Sequence, residues 1–324
     1  MYAIAPAPTA LRGRNFLTVG DFAASEIALL LRLAIYLKGR PLSEQAQILR
    51  GKMLAMFFEK PSLRTRVSFE VAMTQLGGSV VFAKGDEFSI GTRETAEDAA
   101  RVLSRYADAI VIRTHAHEPL QRFAAASSVP VVNGLSALAH PCQALADVLT
   151  LHERFGALAG LRIAFLGDAS NNVAASLAEA AVLSGAILHF ASPLQHRPSE
   201  PFLAHLKALG TPHGGAVRAF SSPVRAVRGA DAIYTDVWTS MGEEASTERN
   251  RAVLSAFRVT EALCSFAAPH AVFMHCLPAH RGEEVSAEVL DGQRSIVFDQ
   301  AENRVHAQKA ILTALLTDLR GFEV

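Results

Sequence analysis

Residues 57 to 66 read Phe57-Phe58-Glu59-Lys60-Pro61-Ser62-Leu63-Arg64-Thr65-Arg66. A short apolar run ends in proline and opens a helical pattern whose first turn carries two hydroxyls and two guanidiniums. The first N–H groups of a helix lack intrahelical partners and sit at the positive end of the macrodipole, so they suit a phosphate oxygen. Ser62 and Thr65 add donors, and Arg64 and Arg66 add fixed charge in the forked geometry that phosphate accepts. An isolated Ser-x-Arg reads more simply as a capped helix with arginine on its solvent face. Two hydroxyls and two arginines gathered at one strand-to-helix junction point instead to a phosphate site.

Such a site needs a scaffold, and the chain alternates β-rich and helical segments from residue 52 to 300. The expected strands are 52–58, 79–83, 109–113 and 130–133, then 162–167, 186–191, 216–220, 232–236, 271–276 and 296–298. Most are continuous apolar runs, as strands buried on both faces should be. Segments 94–106, 139–155, 173–184 and 201–209 have helical length and spacing, and 304–319 is a final amphipathic helix with Ile311, Leu315 and Leu319 on one stripe. Strict alternation implies right-handed crossovers and parallel sheets covered on both faces. The expected fold class is therefore α/β, with two doubly wound parallel-sheet domains joined by helices. Four strands precede residue 139, five or six follow residue 160, and the helix from about 139 to 155 is the bridge. A chain of 324 residues exceeds the size at which one core usually keeps growing, which agrees with two domains.

Composition excludes several function classes. Lys plus Arg equals Asp plus Glu at 31 each, so no net field draws the chain to nucleic acid or to an anionic membrane. Cys142, Cys264 and Cys276 are too few and too far apart for a disulfide framework or a zinc pattern, which suits a reducing compartment. The opening residues lack the basic region and sustained apolar run of a signal peptide, and no stretch nears the roughly 18 uninterrupted apolar residues of a membrane span. The expected location is cytoplasmic. The histidines outside the strand ends show no metal-binding pair with a partnering carboxylate, so no metal or other cofactor is expected.

In open parallel sheets, ligands bind beyond the carboxyl ends of the strands. Here those ends are polar: Arg113-Thr114-His115, then Asn133 leading to His140-Pro141-Cys142-Gln143, and in the second half Gly167-Asp168 running into Ser170-Asn171-Asn172. Asp236 leads through Val237-Trp238-Thr239 to Ser240-Met241-Gly242, and the ninth expected strand leads into His275-Cys276-Leu277-Pro278. The first half presents Arg, Ser, Thr, His and Gln, which suit a phosphorylated electrophile. The second presents Asn, Asp, Ser and Cys, which suit a small zwitterion bearing an amine.

These pieces, together with Glu302-Asn303-Arg304, occur in the order found in the aspartate/ornithine carbamoyltransferase family, and the sequence resembles the ornithine branch of that family over nearly its whole length. The resemblance implies a carbamoyl phosphate-binding domain at 1–150 with the C-terminal helix, about 303–324, packing back on it. It also implies an ornithine-binding domain at 151–302, and a homotrimer or a multiple of trimers. The implied activity is transfer of the carbamoyl group from carbamoyl phosphate to the δ-amino group of L-ornithine, giving citrulline. Ser62, Leu63, Arg64, Thr65, Arg113, His140, Gln143, Cys276, Leu277 and Arg304 match the carbamoyl phosphate set, and Asn172, Asp236, Ser240 and Met241 the ornithine set. Arg64, Arg113, His140, Asp236 and Cys276 match the catalytic positions. His140 is expected to donate a hydrogen bond to the carbonyl oxygen and not to act as a base.

Plainer readings stand beside these. A cysteine after an apolar strand is usually a small buried hydrophobe, His140 before proline can merely cap a helix, and Trp238 is more often packing than a ligand contact. Position 63 is Leu where many members carry Thr. In Ile90-Gly91-Thr92-Arg93-Glu94-Thr95, arginine stands where many relatives have glycine, so that loop is left out of the catalytic set. The competing acceptors are putrescine and an N-acylornithine, or aspartate. Asp236 disfavours aspartate, and putrescine would leave Asn172 without a carboxylate. A nucleotide-binding oxidoreductase is the competitor from another class, and the missing Gly-x-Gly-x-x-Gly after Gly167 argues against it.

Overall fold

The computed structural model describes residues 11–85, 90–91, 94–239 and 247–322. The chain divides into two compact units, one of Met1–Leu149 with Arg304–Val324 and the other of Thr150–Asn303. The helices Pro141–Phe155 and Val297–Leu316 carry the chain between them.

In the first unit, β1 (Met53–Phe58), β2 (Ser79–Lys84), β3 (Ala109–Arg113) and β4 (Val131–Leu135) form a parallel sheet in the order β2-β1-β3-β4. β1 and β3 are central and apolar, and both bury nearly every residue. Ala55, Phe57, Ile110 and Ile112 pack with Ala99, Leu120 and Phe123 of the covering helices in one core cluster. Between Ile112 and Arg113 the register with β4 shifts: Ile112 faces Asn133, but Arg113 faces Leu135. Gly134 is the extra residue. A Cβ there would lie 3.2 Å from Val111 Cγ1 and 3.3 Å from Ile112 O, so only glycine lets the strands stay close across this irregularity. It falls at the point where Arg113 leaves the sheet.

In the second unit, β5 (Arg162–Leu166), β6 (Ile187–Ala191), β7 (Ala216–Phe220), β8 (Ala232–Thr235) and β9 (Val272–His275) form a parallel sheet in the order β7-β6-β5-β8-β9. The chain runs outward from β5 through β6 to β7, then returns to β8 on the other side. Ligand crevices form at such a reversal of strand order, and the carboxyl ends of β5 and β8 flank it.

Both parallel sheets follow the sequence reading, with one correction. Residues 296–298 are not a strand. Ser295 bridges Phe273 and Ile296 N–H donates to Phe273 O, but Val297 then opens the helix that runs to Leu316. An apolar triplet is too short for periodicity to distinguish strand from helix. Asp299 in the first turn favours the helix, and Phe298 stays 74% exposed. The helix Ala24–Lys38, which buries five leucines among its eight buried residues, lies outside the helical segments expected above. Among the described residues, no helix is long and apolar enough to cross a membrane.

Candidate active site

Beyond the carboxyl end of β1, Ser62 caps the helix Leu63–Gln75 in extended conformation, its Oγ accepting from Thr65 N–H at 3.4 Å. Leu63 and Arg64 are exposed on the first turn, and Thr65 is buried. The Ser62 hydroxyl donates to Thr65 Oγ1 at 3.0 Å, and Arg304 Nη2 donates to the same oxygen at 2.6 Å. Arg304 Nη1 reaches Gln143 Oε1 at 3.0 Å, and Gln143 Nε2 donates to Asp147 Oδ1 at 2.8 Å. One guanidinium thus joins the helix after β1 to the helix after β4. Arg66, read above as a phosphate ligand, is engaged elsewhere: it pairs with Glu70 at 2.8 Å and its guanidinium lies over the Phe82 ring at 4.2 Å.

Arg113, His140 and Arg304 are each at most 5% exposed. His140 precedes Pro141, the first residue of its helix, and its carbonyl accepts from the N–H groups of Gln143 and Ala144. The turn leading to it is pinned by Asn133 Nδ2, which donates to Ser136 Oγ, and by Ala139 N–H, which also reaches that hydroxyl. Burial, and then the nearby charges of Arg304 and Arg113, hold the His140 pKa well below the ordinary histidine value. His140 is therefore a neutral imidazole at neutral pH, able to donate from one nitrogen but not to carry charge. Cys142, two residues on, is fully buried with its thiol pushed up to about 12, and is inert.

In the second unit, Asp236 follows β8 and is 8% exposed. Its Oδ1 accepts from Val237 N–H at 2.8 Å and from the Cys276 thiol at 3.1 Å, while Oδ2 accepts from Asn171 Nδ2 at 3.2 Å. Burial raises the Asp236 pKa, against the lowering effects of His275, Cys276 and the Val237 N–H. Cys276 follows β9 and is half-buried. Its neighbour Leu277 sits at φ +60°, a region that bulky residues rarely enter, and the bond to Pro278 is cis. Leu277 N–H donates to His275 Nδ1 at 2.9 Å, which leaves the His275 proton on Nε2, 3.2 Å from Glu284 Oε1.

Asn172 opens the helix Asn172–Leu183, but the capping residue is Asn171, whose Oδ1 accepts from Ala174 N–H at 2.8 Å. Sequence reasoning named Asn172 and passed over Asn171, the residue that ties this helix to Asp236. The Asx cap signature was legible at Asn171. Its second bond, to a residue 65 positions away, was not. Trp238 is buried, and a Cβ on Gly167 (φ +110°) would stand 3.6 Å from its indole, which agrees with the packing reading. Ser240 and Met241 lie outside the described residues, as do Thr92 and Arg93. Asp236, His275 and Cys276 hold one ligand atom each within 4.8 Å of one another. Both His275 nitrogens are already engaged, leaving fewer ligands than zinc takes.

Fold and residues together define a two-domain α/β group-transfer enzyme. The carbamoyl-P binding domain of aspartate/ornithine carbamoyltransferases matches residues 14–153, and the Asp/Orn binding domain matches residues 159–315. The chain belongs to the aspartate/ornithine carbamoyltransferase family. An ornithine carbamoyltransferase of Symbiobacterium thermophilum is 46% identical over 309 residues, spanning 95% of this chain and 99% of the relative. An anabolic ornithine carbamoyltransferase of Pyrococcus furiosus is 45% identical over 311 residues, 96% of this chain and 98% of the relative. The solved structure of ornithine carbamoyltransferase from Pyrococcus furiosus superposes with a TM-score of 0.90 at 45% identity, over 95% of this chain and 99% of that one.

Proposed function

We propose that this protein transfers the carbamoyl group of carbamoyl phosphate to the δ-amino group of L-ornithine, giving L-citrulline and phosphate, in arginine biosynthesis. The observation that carries the donor half is the convergence of Thr65, Gln143 and Arg304 beside buried Arg113 and His140. Two buried guanidiniums and a neutral histidine gather at the strand ends of the first unit, a donor-rich setting that suits an anionic ligand. In this reading residues 1–150 with the helix at about 303–324 bind carbamoyl phosphate, and residues 151–302 bind ornithine.

The phosphate rests on the N-terminal turn of Leu63–Gln75, held by Ser62, the Leu63 backbone and Arg64. Thr65 Oγ1 accepts two hydrogen bonds, so its remaining role is to donate its own proton outward. Thr65, Arg113 and His140 then direct donors at the carbonyl oxygen, which gains charge as the amine adds to the carbon. A neutral His140 suits this role, since it stabilises developing charge without surrendering a proton. Asp236, held between Asn171, Val237 and Cys276, pairs with the cationic amino acid, and an ammonium there restores the ionised carboxylate that burial opposes. Asn172, Ser240 and Met241 complete the amino acid set, and Cys276 and Leu277 flank the reacting amine. That amine must shed a proton before attack, since its ordinary pKa is about 10.4. The tetrahedral intermediate collapses with phosphate leaving, and phosphate can carry the proton away.

A citrulline assay with carbamoyl phosphate and ornithine, run beside putrescine and N-acetylornithine, tests the acceptor. Product with ornithine alone is expected; product only with another amine would replace the acceptor. Absence of product with every amine, together with unchanged carbamoyl phosphate binding in Arg64→Ala, would remove the donor assignment too. The family resemblance supports a cytoplasmic homotrimer or a multiple of trimers, for which light scattering should return about three chain masses or a multiple of that, and a monomer mass would sink it.

A further inference from the structure

Glu59 stands at the carboxyl end of β1, three residues before Ser62, and no role falls to it in the reaction above. Its main-chain N–H donates to Arg113 O at 2.8 Å. Its carboxylate gathers three donors from two other segments: Thr114 Oγ1 and the His115 N–H on Oε2, the latter at 3.1 Å, and the Ile90 N–H on Oε1 at 2.9 Å. Thr114 is 1% exposed and Ile90 is 8% exposed, so the donors from these two residues are largely shielded from competing water, while the bond from His115 stays open to it. Gly85, just after β2, closes in on the main chain of Glu59, where a Cβ would lie 3.2 Å from Glu59 O. Two residues that flank the 86–89 segment, Gly85 and Ile90, therefore both bear on Glu59, one on its backbone and one on its carboxylate. A carboxylate that accepts several N–H and O–H bonds is a stiff anchor, because each bond to an ionised acceptor is about twice as strong as a neutral one.

We propose that Glu59 is a positioning residue for carbamoyl phosphate binding: through Arg113 O, Thr114 and His115 it fixes the exit of β3, and so the aim of the Arg113 guanidinium, while holding Ile90 beside it. The proposal rests on the donor half of the proposed function. Arg113 leaves the sheet at the Gly134 irregularity, where the register with β4 no longer dictates its direction. The bonds from Glu59 supply the constraint that the sheet gives up there. A salt bridge to Arg113 is not required, since the carboxylate acts on the main chain on both sides of that residue.

Glu59→Gln keeps the shape of the side chain but turns an amide NH2 toward one of the three donors. In this variant the KM for carbamoyl phosphate should rise roughly ten- to a hundredfold, the fold-change expected for losing one or two charge-assisted bonds. The KM for ornithine at saturating carbamoyl phosphate should stay the same. Thr114→Val removes one donor only and should shift the same constant in the same direction by less. In the cycle with Arg113→Ala, the Glu59→Gln effect should largely vanish, because a positioning residue has nothing to aim once the guanidinium is gone. An unchanged carbamoyl phosphate KM in folded Glu59→Gln, or full additivity with Arg113→Ala, would overturn the proposal and leave Glu59 a stabilising residue. If Glu59→Gln does not fold, Thr114→Val decides alone by the same criterion. Calorimetric titration of carbamoyl phosphate reads the same effect without turnover. A wild type that binds carbamoyl phosphate but makes no citrulline would fail the acceptor assignment while still testing Glu59.

Discussion

His140 joins burial to two neighbouring guanidiniums, and both hold its pKa far below the usual histidine range. A base whose folded pKa lies below its unfolded value binds protons more readily when unfolded, so its contribution to stability is present above about 6.5 and is lost as pH falls from there. Burial lowers His117 and His189 in the same sense. The thermal midpoint should therefore drop between pH 7 and pH 5, and His140→Asn should flatten part of that slope. The acid limb of kcat/KM for carbamoyl phosphate should show no ionisation near 6.5 that His140→Asn abolishes; finding one would contradict a neutral donor. Asn171 carries a second residue-scale prediction. Asn171→Ala strips the helix cap, at about 1 kcal/mol of stability, and removes a donor from Asp236. Steady-state kinetics should show the ornithine KM rising several-fold with the carbamoyl phosphate KM unchanged; the reverse pattern would misplace Asn171. Residue chemistry was legible where side chains act on local backbone, as at Ser62. It did not reveal the partners of Arg66, which in the fold are Glu70 and the Phe82 ring.

At the scale of elements, the helix Val297–Leu316 does two jobs. It brings Arg304 to Thr65 and Gln143, and from Ala307 to Leu316 every residue on it is buried. Because packing surrounds it, Leu312→Ala should cost about 2–5 kcal/mol by chemical denaturation, a typical loss for a fully buried leucine, and a change near zero would mean the site collapses freely. Arg304→Lys keeps the charge but loses the planar fork whose two arms reach Thr65 and Gln143. The carbamoyl phosphate KM should rise about tenfold, on the scale of one charge-assisted bond, and wild-type kinetics in Arg304→Lys would show that the fork is dispensable. The apolar triplet Ile296–Phe298 shows what element reading lacks. Strand and helix are equally compatible with three apolar residues, and the decision lay in Asp299 and in the packing of the turns that follow.

For the whole molecule, the proposed function assigns most of the carbamoyl phosphate set to the first compact unit and the ornithine set to the second, so each unit should respond mainly to its own ligand. Carbamoyl phosphate alone at a hundred times its Kd should stabilise the fold by about 2.7 kcal/mol and slow hydrogen exchange within 53–66 and 109–143. Protection confined to 162–172 and 232–239 would invert the assignment. Alternating apolar runs and helical spacings determined the α/β class, the parallel sheets and the strands at whose ends chemistry falls, because these depend on period and on continuous burial, both local properties. Local chemistry also determined the Ser62 cap that opens the helix Leu63–Gln75, on which the proposed anion cradle rests. Contacts between residues far apart in the chain needed the tertiary structure: Arg304 on Thr65 across 239 positions, Asn171 on Asp236, and Glu59 on Thr114 and Ile90. A side chain's partner is set by where the folded backbone delivers it, and no spacing in the sequence encodes that distance.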